Sequence, residues 1–297
     1  MRTARPEQPF LGDPADFHLK AYMKERAGEI DRALDRILSQ DRPYLGNIGE
    51  TMRYCVFPGG KRFRPVLTMA ACEAVGSPRQ RAVPAACAFE MIHCFSLAHD
   101  DLPCMDDDEV RRDKPTCHIA HGEDAALLAG DGLAVWAFYV AASTPEGVSA
   151  EAALEVVREL ALASGHPGMI GGQVLDLEGQ RGGVDADGLR AIHEAKTGAL
   201  IRGAVRCGAI AGGATPAQLE ALTGYAERVG LVFQITDDIL DAEEDPERVS
   251  FPAVYGMEES RRLAAEAVAE ALGLLRCFGP EALPLRSLAS YLLNRKS

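Results

Sequence analysis

Strand signal is nearly absent from this chain: no run of alternating β-branched residues extends beyond a few positions, which excludes a sheet-built fold. Its eight cysteines (Cys55, Cys72, Cys87, Cys94, Cys104, Cys117, Cys207, Cys277) contain no CxxC pair. That argues against a zinc site or disulfide framework and for buried free thiols. The stretch MRTARPEQPFLGD has no apolar core of signal-peptide type, and the longest apolar run, residues 132–142, is shorter than the roughly 18 residues of a membrane span. A soluble, cytoplasmic protein without stable membrane insertion is expected. Positive charge is also scarce. With a net charge of −13 and a pI near 5.0, neither nucleic acid nor anionic lipid is an expected partner, because both reward basic patches.

What is present is helical. Residues 1–16, broken by prolines and a glycine, read as a loose N-terminal arm, and residues 17–297 as a single all-α domain without internal repeat or linker. In FHLKAYMKERAGEIDRALDRIL, residues 17–38, apolar positions recur every three or four residues with charges between them, the mark of an amphipathic helix. Further helices are expected at 64–75, 81–99, 124–142, 152–164, 168–178, 187–212, 216–242, 257–277 and 282–295. Segment 124–142 is apolar on nearly every face, so neighbours are expected to bury it. Ser149 is the expected N-cap of the helix that follows, with Glu151 in its first turn. With 47% hydrophobic residues, these helices have the material for one bundle around a core.

Two acidic clusters stand out. HDDLPCMDDDEVRR, residues 99–112, holds five aspartates, one glutamate and two arginines. The second, Asp237-Asp238-Ile239-Leu240-Asp241, is embedded in the apolar sequence GLVFQITDDILD, so it sits on a helix packed into the protein. Asp237 and Asp241 stack four residues apart on one face, and Asp238 is displaced by about 100°. Stacked carboxylates repel unless a cation bridges them, and Mg²⁺ commonly takes one or two carboxylates while phosphate and water complete its shell. In the first cluster, Asp100 and Asp106 would diverge by about 240° on a regular helix. Pro103 removes an amide donor and disfavours helical geometry at Leu102, so a kink or bulge there could bring the two acids together. An undistorted helix would instead stack Asp107 over Asp100.

The cations complement these acids. Arg111 and Arg112 follow the first cluster directly, and guanidinium groups take phosphate oxygens bidentately. Gly59-Gly60-Lys61-Arg62-Phe63-Arg64-Pro65 leads three cations into a helix N-terminus; it lacks Walker spacing but, with His93, could form a metal-free anion site. Lys196-Thr197-Gly198 interrupts an Ala-rich stretch and could present a lysine and a hydroxyl to one phosphate, the glycine allowing close helix approach. The competing readings are solvated acidic faces, surface ion pairs and a core histidine.

In their order along residues 45–245, GGKRFRP, MIHCFSLAHDDLPCMDDDEVRR, KPTCH, GGQVLDLEG, KTGALIRGAVRCGAIAGGA and FQITDDILD resemble the trans-isoprenyl diphosphate synthases, which include farnesyl and geranylgeranyl diphosphate synthases. The resemblance implies an all-α bundle around a deep central cavity, usually a homodimer, and head-to-tail condensation of isopentenyl diphosphate with an allylic diphosphate. It implies Mg²⁺, three ions bound with diphosphate, on Asp100, Asp106, Asp237 and Asp241, with Asp101 and Asp238 beside them. Arg111, Lys196, Thr197 and Gln234 would hold the allylic diphosphate. Lys61, Arg64, His93 and Arg112 would hold isopentenyl diphosphate. Phe95 and Ser96, just before the acidic cluster, are the chain-length candidates. An aromatic residue at Phe95 points to farnesyl diphosphate, with geranylgeranyl diphosphate as the alternative.

The pattern departs from that family in places. After DDILDAEED the family continues through a basic, glycine-containing loop, whereas this chain passes from Asp245-Pro246-Glu247-Arg248 directly to VSFPAVYG. Asp113 stands where glycine is usual, and Cys117 where asparagine is common. A terpene cyclase is the rival enzyme, opposed by GGKRFRP and a second acidic cluster. A non-catalytic partner subunit is the rival outside catalysis, opposed by the presence of both clusters.

Overall fold

A computed structural model describes residues 17–39, 46–57, 59–183, 185–242 and 250–294. The expected loose arm at 1–16 and most of the shortened segment, including Asp245 and Arg248, lie outside the described residues. The described chain is helical almost throughout, as its periodicity predicts. Helix α1 (Leu19–Leu38) buries Ile30, Leu34 and Leu38 at four-residue intervals. Three helices that follow are α2 (Ile48–Val56), α3 (Phe63–Ala74) and α4 (Val83–Asp100). A two-residue hairpin, β1 (Val110–Arg111) with β2 (Lys114–Pro115), leads into α5 (Cys117–His121), α6 (Glu123–Ala141), α7 (Ala150–Ser164) and α8 (Met169–Gly182). The remainder comprises α9 (Ala186–His193), α10 (Ala199–Gly212), α11 (Pro216–Asp241), α12 (Phe251–Tyr255), α13 (Met257–Leu274) and α14 (Leu283–Leu292). Helices α2, α5 and α12 and the hairpin were not anticipated, because elements so short give periodicity little to register.

Caps fix several boundaries. Ser149 accepts the Ala152 amide at 3.2 Å and caps α7 as expected, with Glu151 in its first turn. Thr215 and Gln218 form a reciprocal capping box ahead of Pro216, starting α11.

Helix α4 lies at the centre, packed against α3, α6 and α10. Nearly every residue from Ala85 to Ile92 is inaccessible, and each large side chain there, such as Phe89, contributes about 1.5–3 kcal/mol. One apolar cluster joins α4 to α1, α6, α7 and α10; a second joins α3 and α10 to α11, α13 and α14. Helix α6 departs from expectation. Its apolar composition called for burial on all sides, yet Leu128 is 57%, Val135 71% and Tyr139 64% exposed. By length and composition Arg79–Asp100 and Glu123–Ala141 could each cross a membrane, but the fold buries 67% of the first and only 39% of the second. All eight cysteines are free; Cys104 and Cys277, contrary to the expectation of burial, are exposed.

The hairpin turns through Arg112 (φ 55°) and Asp113 (φ 61°), both left-handed. Each costs a non-glycine residue about 1–2 kcal/mol, which explains why a glycine is usual after the paired arginines.

Arg62 is another left-handed residue, φ 49°, at the N-cap of α3. Its buried guanidinium pairs with Glu90 at 2.6 Å and Asp31 at 2.9 Å and donates to the Val56 carbonyl at 2.9 Å. This arginine therefore locks α3 to α1, α2 and α4. Arg62→Ala leaves Glu90 charged and buried, and is expected to destabilise the protein by about 3–5 kcal/mol, read as a lowered denaturation midpoint.

Candidate active site

Helix α4 ends at Asp100, three residues short of Pro103, so the expected kink takes the form of termination. The chain then folds back: the Asp106 amide donates to the Asp100 carbonyl at 2.9 Å, and those of Met105 and Asp107 to the Leu102 carbonyl at 2.8 and 3.2 Å. Asp106 is thus brought beside Asp100, and the stacking of Asp107 over Asp100 does not occur. Burial pushes the Asp100 carboxyl up to about 6; Lys196 opposes this and Asp106 reinforces it. Asp101 turns the other way. It is buried and receives the Arg111 guanidinium through Nε and Nη2, both at 2.6 Å, while Nη2 also reaches Asp108 at 2.9 Å. A cavity of about 70 Å³ behind the hairpin, lined by Leu97, Asp101, Arg111 and Cys117 among others, does not include Asp100.

The two glycines of GGKRFRP have separate tasks. A Cβ at Gly59 would fall 1.8 Å from Cζ of Arg62, and one at Gly60 would fall 2.9 Å from Nη2 of Arg112. The first admits the structural arginine; the second lets Arg112 lie against the backbone beside Lys61, which is exposed. Arg64 contributes a buried Nε without hydrogen-bond partner among the described residues. Burial lowers its pKa, opposed by Glu90 and Asp237, and Arg112 lowers it further. His93 titrates well below the usual histidine range, chiefly through burial and then through repulsion by Arg64, Arg112, Arg62 and Arg111. A neutral histidine ringed by arginines is a place for an anion.

The expected helix 187–212 is divided by a π turn, Glu194–Gly198, that carries Lys196 and Thr197. Such a turn widens the helix and re-aims its side chains. Lys196 Nζ bonds Asp176 of α8 at 2.5 Å. The α8 backbone comes so close that a Cβ at Gly172 would stand 2.2 Å from the Lys196 nitrogen. One residue beyond Gly172, Gln173 has a buried Oε1 with no hydrogen-bond partner among the described residues.

On α11, Asp237 lies within electrostatic reach of Arg64. Asp238, turned to the next face, accepts from the Phe251 amide at 2.8 Å and contacts His193 Nε2 at 3.2 Å. Gln234 faces His193 Nδ1. Asp241 is the last residue of the helix and half-buried. Of the chain-length candidates, Phe95 sets its ring edge-on to His99, centroids 5.2 Å apart, and packs partly buried against the larger apolar cluster. The Ser96 hydroxyl bonds back to the His93 carbonyl at 2.9 Å.

The fold therefore gathers the first acidic turn around Lys196, and the second acidic helix around Arg64, which also senses Arg112. Among the described residues no three histidine, cysteine or acidic side chains form a ready-made metal cage. A cation shared between one or two carboxylates and phosphate needs none. The sequence reading missed Asp176, although it lies in the quoted GGQVLDLEG, and His193, which carries no local signal.

A helical bundle with two acidic clusters and an arginine-ringed histidine defines an isoprenoid synthase fold built to handle diphosphates. Residues 46–259 match the family described as polyprenyl synthetase. A chloroplastic geranylgeranyl pyrophosphate synthase of Catharanthus roseus is 43% identical, the match spanning 95% of this chain and 82% of the relative. The chloroplastic heterodimeric geranylgeranyl pyrophosphate synthase large subunit 1 of Arabidopsis thaliana is 40% identical over 96% of this chain and 81% of its own. The crystal structure of an FPP/GFPP synthase from Zymomonas mobilis superposes with a TM-score of 0.87 at 38% identity, covering 93% of this chain and 98% of that one. The chain belongs to the polyprenyl synthetase family and is a prenyltransferase that makes short-chain prenyl diphosphates.

Gly60→Ala is expected to displace Arg112 without unfolding the protein, since the obstructed atoms end a flexible side chain. Loss of a charge-assisted contact predicts about 10- to 100-fold weaker binding of inorganic diphosphate in the absence of divalent metal, measurable by calorimetry with unchanged circular dichroism.

Proposed function

We propose that the enzyme condenses isopentenyl diphosphate with an allylic diphosphate and carries the product to twenty carbons, geranylgeranyl diphosphate. The observation that carries the condensation is the separation of two anion-binding regions: a basic one around His93, Arg64 and Arg112, and an acidic one around Asp100, Asp106, Asp237 and Asp241. One diphosphate can be held by cations of the protein and the other through metal, as two unlike substrates require.

The acidic region fits Mg²⁺. Its donors are hard oxygens, and burial together with the nearby Asp106 disfavours the charged form of Asp100, a cost that a bound cation would relieve. Asp100, Asp106, Asp237 and Asp241 would hold the ions, three in number by the resemblance, and bound Mg²⁺ would stabilise negative charge on the departing diphosphate. Lys196, Thr197 and Arg111 would clamp that diphosphate, Arg111 exchanging exposed Asp108 for it while keeping Asp101. Lys61, Arg64, His93 and Arg112 would orient isopentenyl diphosphate so that its double bond faces the allylic carbon. Ionisation of the allylic C–O bond, attack by that double bond and proton loss to the released diphosphate complete the reaction. Apolar side chains of α4 and α6 would keep water from the cation.

The relatives named above as geranylgeranyl pyrophosphate synthases support the twenty-carbon product over the farnesyl product that Phe95 suggested. The turn of Phe95 toward His99 is consistent with this, since a ring held against the core obstructs chain growth less than one standing in its path. The farnesyl reading stays as the second one, favoured by the aromatic side chain itself. For the assembly, the exposed apolar face of α6 with Leu154 and Leu162 of α7 supports a homodimer; sedimentation of the pure chain at the mass of a monomer would oppose it.

Incubation with Mg²⁺, isopentenyl diphosphate and each of dimethylallyl, geranyl and farnesyl diphosphate, followed by product identification, tests the reaction. A twenty-carbon product is expected, and no condensation would overturn the proposal. Asp100→Asn and Asp237→Asn should each lower turnover by about 100-fold or more. Phe95→Ala should leave the product at twenty carbons, and a longer product would restore the ring as the limit on chain growth.

A further inference from the structure

His193 belongs to none of the motifs above, yet three elements converge on it. It is the last residue of α9, directly before the π turn that carries Lys196 and Thr197. Its Nε2 lies 3.2 Å from Asp238 Oδ2, its Nδ1 meets the Gln234 side-chain amide, and its ring stacks on Phe251 with centroids 5.6 Å apart and planes 22° from parallel. Asp238 Oδ2 also accepts the Phe251 backbone N–H at 2.8 Å.

The hydrogen bonds agree on one arrangement. A carboxylate only accepts, so Nε2 carries the proton and donates to Asp238; Nδ1 then offers a lone pair that the Gln234 amide group fills. Both of the ring's polar atoms are used within the protein. Gln234 and Asp238 are four residues apart on one face of α11, adjacent to the face formed by Asp237 and Asp241. Fixing the first face fixes the rotation of the second. Three residues beyond His193, Lys196 is bonded to Asp176 and lies within electrostatic reach of Asp100.

We propose that His193 is a positioning residue for diphosphate: through Asp238 and Gln234 it sets the angle at which Asp237 and Asp241 face the site, and through its own backbone it seats Lys196 and Thr197 against the same ligand. The proposal rests on the functional reading above. It moves Gln234 and Asp238 from touching substrate or metal to orienting the groups that do. Residues placed behind metal ligands in this way typically govern affinity by about 10- to 100-fold.

The test compares wild type with His193→Ala and with His193→Gln, which keeps a side-chain donor and supplies a folded variant where alanine does not. Calorimetry with inorganic diphosphate plus Mg²⁺ is expected to show about 10- to 100-fold weaker binding for His193→Ala, with partial recovery in His193→Gln. In steady-state assays the KM for the allylic diphosphate and the Mg²⁺ concentration for half activation should rise together, while the KM for isopentenyl diphosphate stays within about twofold. Unchanged Mg²⁺–diphosphate affinity in a folded variant would overturn the proposal. So would an equal rise in both KM values, which marks a general loss of structure. A wild-type protein that binds Mg²⁺–diphosphate but condenses nothing counts against the enzymatic reading alone, because the binding difference between wild type and variant still decides the role of His193.

Discussion

Mutual repulsion among carboxylates is the constraint to which the rest of the molecule answers. Asp100 and Asp106 are drawn together by the backbone hydrogen bond at the end of α4, and the burial that accompanies this pushes Asp100 toward its neutral form. The fold responds by interleaving cations with acids. Lys196 is brought up to the first cluster by the π turn, Arg64 is set near Asp237, and Arg111 neutralises Asp101 on the far side of the turn. Two of these are held from behind: Lys196 directly by Asp176, and Arg64 through its preceding loop, which the buried pairing of Arg62 with Glu90 and Asp31 fixes.

That interleaving divides chemically similar residues by role. In GGKRFRP, Arg62 is consumed by structure, Lys61 stays exposed and Arg64 keeps a buried Nε without partner among the described residues. In the second cluster Asp238 is bound to His193 and the Phe251 amide, whereas Asp237 looks toward Arg64. Holding charges of both signs in fixed places lets a binding site be rigid before its ligand arrives, which is the condition for holding a highly charged ligand without reorganisation.

Much of the fold was legible from periodicity. Long amphipathic and Ala-rich stretches became helices within a few residues of their expected bounds, and Ser149 capped the helix it was expected to cap. Short elements were not legible, because α5 and α12 span barely more than one turn each. Helix α6 shows the opposite failure: its composition alone gave burial on all sides, but burial depends on what packs beside it, and Val135 and Tyr139 find no neighbour within the described chain sufficient to cover them.

For the site, the sequence by itself determined which chemical groups are available and their local spacing: two acidic clusters, paired arginines after the first, and three cations leading into α3. It also marked Pro103 as the place where a kink or bulge could bring Asp106 to Asp100, because a proline removes one helical hydrogen bond, but it left open the undistorted helix that would stack Asp107 there. Only the tertiary structure decided which partner each charge took. The break placed Asp106 rather than Asp107 beside Asp100, the glycines admitted Arg62 and Arg112 separately, and Asp238 went to His193 from a helix 45 positions earlier. The reason is physical: spacing along a chain fixes which faces a helix can offer, while the energy of a charge depends on the dielectric and the counter-charges that other, distant elements bring to it.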